Sequence, residues 1–385
     1  MYYRDNITAA DRLLSIDALR GFDFFWILGT SELFIALLTI KKTNLSLRLA
    51  AEFDHSGWHG FTFYDLIFPL FLFIVGLVIP FSLEKYRKIN NRGYEDNNKG
   101  IISFRSAYKR IIIRTVILLL LGLIVNGFLD FNFESMRWPG VLQRIAVCYF
   151  FAAIITLHTP SRFRPLVTGI LVGVTLIGYW AVMKFVSVPG GTAGDLSQQG
   201  NLAGYIDRLI IPGRFCCYQF GDNEGLLSTI PALGTTFIGV LTGLLLGTKK
   251  SHIFKIKWMF IGGITSIVLG VAWSFDFPRN KILWTSSFVL FAAGWSLLLL
   301  GLFYWLIDYK GYKKWAFPFI VVGMNAITIY VVQMLFDFAI IVDILFRGFI
   351  KYSGVFGEAF FFICLVAVKW FFLYFLYKKK IFLKV

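Results

Sequence analysis

The chain has 385 residues, is 57% hydrophobic and 16% charged, and carries a net charge of +16 from 38 Lys and Arg against 22 Asp and Glu. Soluble domains are roughly 45–50% apolar and about 25% charged, so this composition excludes an ordinary soluble enzyme. Its 43 Phe, 17 Tyr and 11 Trp exclude a disordered chain. The apolar runs extend about 20 residues without strict alternation, which excludes a β-barrel and leaves an all-α, polytopic membrane helical bundle.

Long apolar runs predict ten transmembrane helices, at 13–40, 63–84, 111–129, 139–157, 165–187, 225–247, 258–274, 283–307, 316–337 and 359–377. The apolar stretch 338–350 would be an eleventh span, or a re-entrant or interfacial piece. Pro69, Pro80 and Pro231 are expected to kink or interrupt their helices. The whole of 1–385 reads as one transmembrane domain. Residues 1–12 are polar and have no signal-peptide core.

The connections 1–12, 85–110, 158–164, 248–257, 308–315 and 378–385 hold 23 Lys and Arg, whereas 41–62, 130–138, 188–224, 275–282 and 338–358 hold 10. That asymmetry predicts cytoplasmic termini and extracytoplasmic loops at 41–62 and 188–224. It also accounts for the basic charge without a nucleic-acid partner. The loop 188–224 is long and rich in Gly and Pro, a pattern typical of functional or disordered segments. Cys148 and Cys364 fall in apolar runs, and the adjacent Cys216 and Cys217 have no partners at metal-ligand spacing.

A charge at mid-membrane costs about 2.5–3.5 kcal/mol, so each buried one needs a reason. On the first helix Asp17, Arg20 and Asp23 share a face and can pair, while Glu32 sits deeper without a local partner. The segment Asp54-His55-Ser56-Gly57-Trp58-His59 precedes the second helix. Histidine is the side chain best suited to proton transfer near neutral pH, and Asp54 and Asp65 flank this pair. No third His or Cys completes a metal site. Thr62 and Asp65 also form a capping-box pattern, which explains Asp65 structurally. At the fourth helix, Arg137 stands at the entrance and Gln143 and Arg144 enter the apolar run. A buried arginine calls for an acidic partner or an anion such as phosphate. Tyr205, Asp207 and Glu224 in the long loop read as the lip of a polar-substrate site or as a solvated loop. Asn325 and Gln333 place amides inside the bundle, where interhelical hydrogen bonds are a sufficient reason for them.

The strings Ser15-Ile16-Asp17-Ala18-Leu19-Arg20-Gly21, Asp54-His55-Ser56-Gly57-Trp58-His59-Gly60-Phe61-Thr62 and Asp65-Leu66-Ile67-Phe68-Pro69 resemble the heparan-α-glucosaminide N-acetyltransferase family. The resemblance continues through Pro139-Gly140-Val141-Leu142-Gln143-Arg144, Ala203-Gly204-Tyr205-Ile206-Asp207-Arg208-Leu209, Glu224-Gly225-Leu226-Leu227 and Gly323-Met324-Asn325, and ends at Lys379-Lys380-Ile381-Phe382. It implies a transmembrane acetyltransferase, here a bacterial member of the cytoplasmic (inner) membrane. Such an enzyme moves acetyl from cytoplasmic acetyl-CoA to the amine of an extracytoplasmic amino sugar or glycan, and a homodimer accompanies the family. The family's catalytic histidine precedes a Ser/Ala-x-Trp motif, which is His55 here. His59 stands where the lysosomal enzyme has asparagine, and a family asparagine is replaced near Ser31 or Glu32. The resemblance also leads us to expect that the family's amino-terminal luminal domain and the helix before the shared core are missing here.

The expected mechanism has Arg105, Lys109, Arg110 and Arg114 receiving the acetyl-CoA phosphates, with Arg20, Gln143 and Arg144 deeper. His55 acts as base or as acetyl acceptor, oriented by Asp54 or Asp65. Glu32, Tyr205, Asp207, Glu224 and Asn325 form the acceptor set. On physics alone, a secondary transporter for N-acetylglucosamine or a related amino sugar fits the same spans and interior charges.

Overall fold

A computed structural model of the chain describes residues 13–91 and 97–383. The expected amino-terminal connection 1–12, residues 92–96 of the connection 85–110, and residues 384–385 lie outside the described residues. Among the described residues eight helices are long and apolar enough to cross a membrane: Leu14–Thr39, Phe63–Glu84, Val141–His158, Arg164–Phe185, Thr229–Leu246, His252–Trp273, Ser286–Tyr309 and Gly354–Lys378. A bent pair, Lys314–Met324 with Ala326–Leu335, is broken by 57° and makes a ninth if it is one span. The chain is an integral membrane protein of helical architecture.

The chain divides into two compact units. One comprises Met1–Lys41, Lys250–Phe260 and Leu297–Lys384. Its first span is α1 (Leu14–Phe25) and α2 (Ser31–Thr39), joined by a π-helical stretch at Trp26–Thr30. Gly29 within that stretch has φ 116°, a conformation that a β-carbon disfavours, so the glycine permits the break. The second break is at Asn325, between α12 (Phe317–Met324) and α13 (Ala326–Leu335). Helices α1 and α12 approach so closely that a β-carbon on Gly21 would strike the Phe319 carbonyl, and one on Gly323 the Asp17 carbonyl. Small residues at such crossings are how membrane helices gain packing contact. The apolar stretch near 338–350 is α14 (Ala339–Tyr352), a 14-residue helix too short to span, packed on α15 (Gly357–Lys378).

The other unit comprises Lys42–Lys249 and Ile261–Ser296. Its centre is the crossing of α4 (Ile67–Asn91) with α9 (Thr229–Leu246). Glycines again set the distance: β-carbons on Gly76, Gly239 and Gly243 would meet the carbonyls of Thr236, Phe73 and Leu77. Around this pair stand α5 (Asn97–Val125), α6 (Val141–His158) and α7 (Arg164–Phe185). None of the three prolines interrupts its helix. Pro69 and Pro231 fall in first turns, where no intrahelical donor is lost, and α4 runs on through Pro80. The connection 85–110 also differs from expectation, because α4 extends to Asn91 and α5 starts at Asn97. The apolar run ends near Glu84, but no Gly or Pro stops the helix there.

Both expected outer loops contain structure. Segment 41–62 holds α3 (Asn44–Ala51), capped by Thr43 and Ser46. Segment 188–224 holds α8 (Leu202–Ile210) and a hairpin of β1 (Cys217–Tyr218) and β2 (Gly221–Asp222). Tyr179, Met183, Leu202, Ala203, Phe277 and Leu283 bury the foot of α8, with Trp58 packed alongside. The Trp58 indole donates to the Leu196 carbonyl at 2.9 Å, and Gly60 N–H to the Arg279 carbonyl at 2.8 Å. Three separate connections of one unit are thereby tied together.

Candidate active site

Asp65 lies in the 3₁₀ turn Phe63–Leu66 that leads into α4. The expected capping box is present: Thr62 N–H donates to Asp65 Oδ2 at 3.2 Å. The same oxygen accepts from Ser56 N–H at 3.2 Å and from Ser56 Oγ at 2.7 Å. The other oxygen, Oδ1, lies 2.9 Å from His55 Nδ1. The carboxylate is 1% exposed, whereas the His55 side chain is 53% exposed and rests against the Tyr64 ring. An ionised Asp65 is acceptor-only, so Nδ1 carries the proton and Nε2 presents a lone pair outward. A carboxylate that orients an imidazole is the arrangement of a general base.

Asp54, the other carboxylate considered beside His55, takes a different part. Its Oδ1 accepts the His55 backbone N–H at 2.7 Å, and its carbonyl accepts Thr62 Oγ1 at 2.7 Å. It shapes the turn, and the ring itself belongs to Asp65. His59 faces Asn280 at 3.4 Å, and burial holds its imidazole below the ordinary histidine range.

Lys281 is a member of this site that sequence reasoning passed over. Its Nζ lies 3.0 Å from His55 Nδ1 and 3.3 Å from Asp65 Oδ1. With Nδ1–H aimed at Asp65, the ammonium donates to the same carboxylate oxygen. Burial pushes the Lys281 ammonium below its ordinary range, although Asp65 and, further off, Glu224 and Cys217 pull it back up. The available signal was a lysine in the short connection 275–282, on the side poor in basic residues.

A second cluster adjoins this one through Glu224. Arg137 grips Asp222 with two bonds, Nε to Oδ2 at 2.8 Å and Nη2 to Oδ1 at 2.6 Å, and also pairs with Glu224. Burial opposes the Arg137 charge, but Asp222 and Glu224 outweigh it and hold the guanidinium protonated above its usual range. Asp207 accepts Asp222 N–H at 3.2 Å and Leu226 N–H at 2.9 Å, and burial raises its carboxyl above the ordinary range. Asp207 and Glu224 thus hold the loop from within, and Tyr205 packs against the apolar cluster under α8.

Arg144, on the first turn of α6, is 2% exposed. Its Nη2 donates to Ser228 Oγ at 2.5 Å and to the Gly225 carbonyl at 3.3 Å. The guanidinium lies over the Trp284 ring, and Nε and Nη1 have no acceptor among the described residues. Gln143 donates to the Trp138 carbonyl at 3.2 Å. Arg114 stacks on Tyr149, while Arg105, Lys109 and Arg110 are exposed on α5.

The remaining expected site residues are in the other compact unit. Arg20 pairs with Asp17 at 3.8 Å, and the Asp23 carboxyl is buried without a hydrogen-bond partner among the described residues. Glu32 accepts Ser31 Oγ at 2.9 Å, and Asn325 donates to the Ile381 carbonyl at 3.2 Å at the break after α12.

Two curated relatives align with nearly the whole chain. Heparan-alpha-glucosaminide N-acetyltransferase of Homo sapiens is 30% identical over 377 residues, 85% of this chain, and its Mus musculus counterpart is 30% identical over 375 residues, 84% of this chain. The chain belongs to the heparan-α-glucosaminide N-acetyltransferase family. It spans about half the length of these relatives, 53% of each. No protein-family model matches the chain. The family's name specifies transfer of an acetyl group to an amine, a reaction that needs a proton acceptor at the attacking nitrogen. In this chain the half-exposed His55 ring lies against the buried Asp65 carboxylate.

Proposed function

We propose that this protein is a transmembrane acetyltransferase that moves an acetyl group from cytoplasmic acetyl-CoA to the amine of an extracytoplasmic amino sugar or glycan. The observation that carries the reading is the 2.9 Å contact of His55 Nδ1 with buried Asp65, which leaves Nε2 free at an exposed face. Family membership supports acetyl transfer, and the Lys and Arg asymmetry of the connections supports an outward His55. The reading includes a bacterial inner membrane, a homodimer, and Arg105, Lys109, Arg110 and Arg114 as the basic group that meets the coenzyme phosphates.

His55 Nε2 takes a proton from the acceptor ammonium. The freed amine attacks the thioester carbonyl, the carbon–sulfur bond breaks, and the coenzyme thiolate receives a proton as the amide forms. Direct attack fits the site better than an acetyl-imidazole. An acetylated His55 could not deprotonate the incoming amine, and Asp65 beside it is committed to Lys281.

The test is release of coenzyme thiol by purified protein in detergent with acetyl-CoA and glucosamine. Turnover is expected without any compartment, which a transporter would not show. The His55→Ala variant should lose about 10²–10⁴-fold in rate while still binding acetyl-CoA. Full activity in that variant removes His55 from the mechanism. Sequential kinetics, with no thiol released before acceptor is added, is the expected pattern, and a burst of thiol without acceptor would establish the acetyl-imidazole course.

A further inference from the structure

The adjacent cysteines of the long loop are absorbed by no part of the acetyl-transfer chemistry. Cys216 is half-buried, Cys217 is exposed, and both are free thiols. Their side chains hydrogen-bond to one another, and Arg137 lies close to Cys216. Cys217 has φ 78°, in the left-handed region that non-glycine residues seldom occupy. It is also half of a backbone pair with Asp222 in the β1–β2 hairpin. Cys216 N–H donates to Asp222 Oδ2 at 3.0 Å, the oxygen that also receives Arg137 Nε.

We propose that Cys216 and Cys217 are a reversible thiol-modification site, closing to a vicinal disulfide by exchange with a low-molecular-weight disulfide. The hydrogen bond from Cys217, helped by Arg137 and opposed by burial, lowers the Cys216 thiol to about 7, while Cys217 is pushed up. Cys216 is therefore the attacking thiolate, and Cys217 keeps its proton until the second step. The Cys216 thiolate attacks one sulfur of the small disulfide, forms a mixed disulfide and releases one small thiolate. Cys217 then gives up its proton, attacks the Cys216 sulfur and expels the second small thiolate. Two protein thiols and one small disulfide become one protein disulfide and two small thiols.

The product is easily reopened. Consecutive α-carbons are about 3.8 Å apart, below the roughly 4.4–6.8 Å of ordinary disulfides, and such strain makes the bond more reducible. Ring closure also twists the Cys216–Cys217 peptide at the point where Cys217 pairs with Asp222 in the hairpin, and Asp222 is the carboxylate that anchors Arg137. The site thus couples the thiol state of the loop to the cluster beside Lys281, whichever acceptor the protein acetylates.

The test uses the full-length protein in detergent, treated with glutathione disulfide and then alkylated and analysed by intact and peptide mass. Both thiols should vanish together, with a loss of two hydrogens and no added glutathione, and a dithiol reductant should restore them. Cys217→Ser should instead accumulate one glutathione on Cys216, and Cys217→Gly, which relieves the left-handed backbone, should do the same. Cys216→Ser should slow modification of the remaining thiol about 10-fold, in line with its smaller thiolate fraction. A lasting glutathione adduct on the wild-type chain, or two free thiols after prolonged excess oxidant, overturns the proposal.

Discussion

Asp65 serves His55 and the helix behind it with different oxygens. Oδ2 closes the cap at Thr62 and holds Ser56, and Oδ1 takes His55 Nδ1 at 2.9 Å. The orientation of the imidazole is therefore built into the start of α4, because the capping bonds leave the carboxylate no freedom to turn. The capping bond and the contact with His55, which compete as explanations at the level of sequence, are made by the same carboxylate here.

Asp65→Asn should preserve an acceptor for the cap but put an amide opposite Nδ1, which favours the wrong tautomer. The rate of thiol release should fall by about 10²–10⁴-fold. The variant also leaves Lys281 without its carboxylate, at a cost of about 3–5 kcal/mol for a buried charge. Adding Lys281→Met should recover most of the thermal midpoint without recovering the rate. Recovery of both would make Asp65 a purely structural residue.

Lys281 gives a pH dependence with a definite sign. Its folded-state value is depressed by burial below the ordinary 10.5, so the unfolded chain binds more protons between the two values. Stability then rises with pH across that window and is lost as pH falls through the folded value. Thermal midpoints measured from neutral to alkaline pH should climb for the wild type and climb less for Lys281→Met. Equal slopes would mean that the ammonium is not depressed.

The helices were legible because hydropathy alone demands them. The breaks were not: prolines drew attention, yet the chain breaks at Gly29 and Asn325, where no proline stands. The cluster around His55 was half legible. His55 and Asp65 are neighbours in sequence, joined by a capping pattern. Lys281 comes from 226 residues further on, and no local periodicity connects it to them. Asp207 and Glu224 show the opposite error. Acidic residues in a polar loop suggest an outward lip, but Asp207 satisfies backbone donors inside the fold and Glu224 pairs with Arg137.

Under the proposed mechanism, Arg144 is where donor binding can be tested apart from acceptor binding. Two of its guanidinium nitrogens, Nε and Nη1, have no acceptor among the described residues, in a setting too buried for that to be free of cost. Arg144→Gln keeps polarity but removes the charge. If those nitrogens receive acetyl-CoA, the variant should weaken its binding by about 10–100-fold, the equivalent of 1.5–3 kcal/mol for a bond to a charged group. The KM for the acceptor should change much less. A titration with the reverse pattern moves Arg144 to the acceptor side.

The α4–α9 crossing sets the distance between the two halves of the site. Asp65 stands just before α4, and Glu224 to Ser228 lead into α9, so any displacement of one helix along the other shifts the His55 cluster against Arg144. Gly239 is where this can be tested, because a β-carbon there would collide with the Phe73 carbonyl, which is backbone and cannot swing aside. Gly→Ala in a helix interior ordinarily gains about 0.5–1 kcal/mol, whereas overpacking costs about 1–3 kcal/mol, and here the collision should win. Gly169 on α7 is the control, since nothing lies within 4 Å of where a β-carbon would stand. Gly239→Ala should lower the thermal midpoint in detergent and reduce the rate of acetyl transfer, while Gly169→Ala should leave both unchanged or raise the midpoint slightly. If both variants match the wild type, the helices have room to separate, and the close crossing is not what holds Asp65 in register with Arg144.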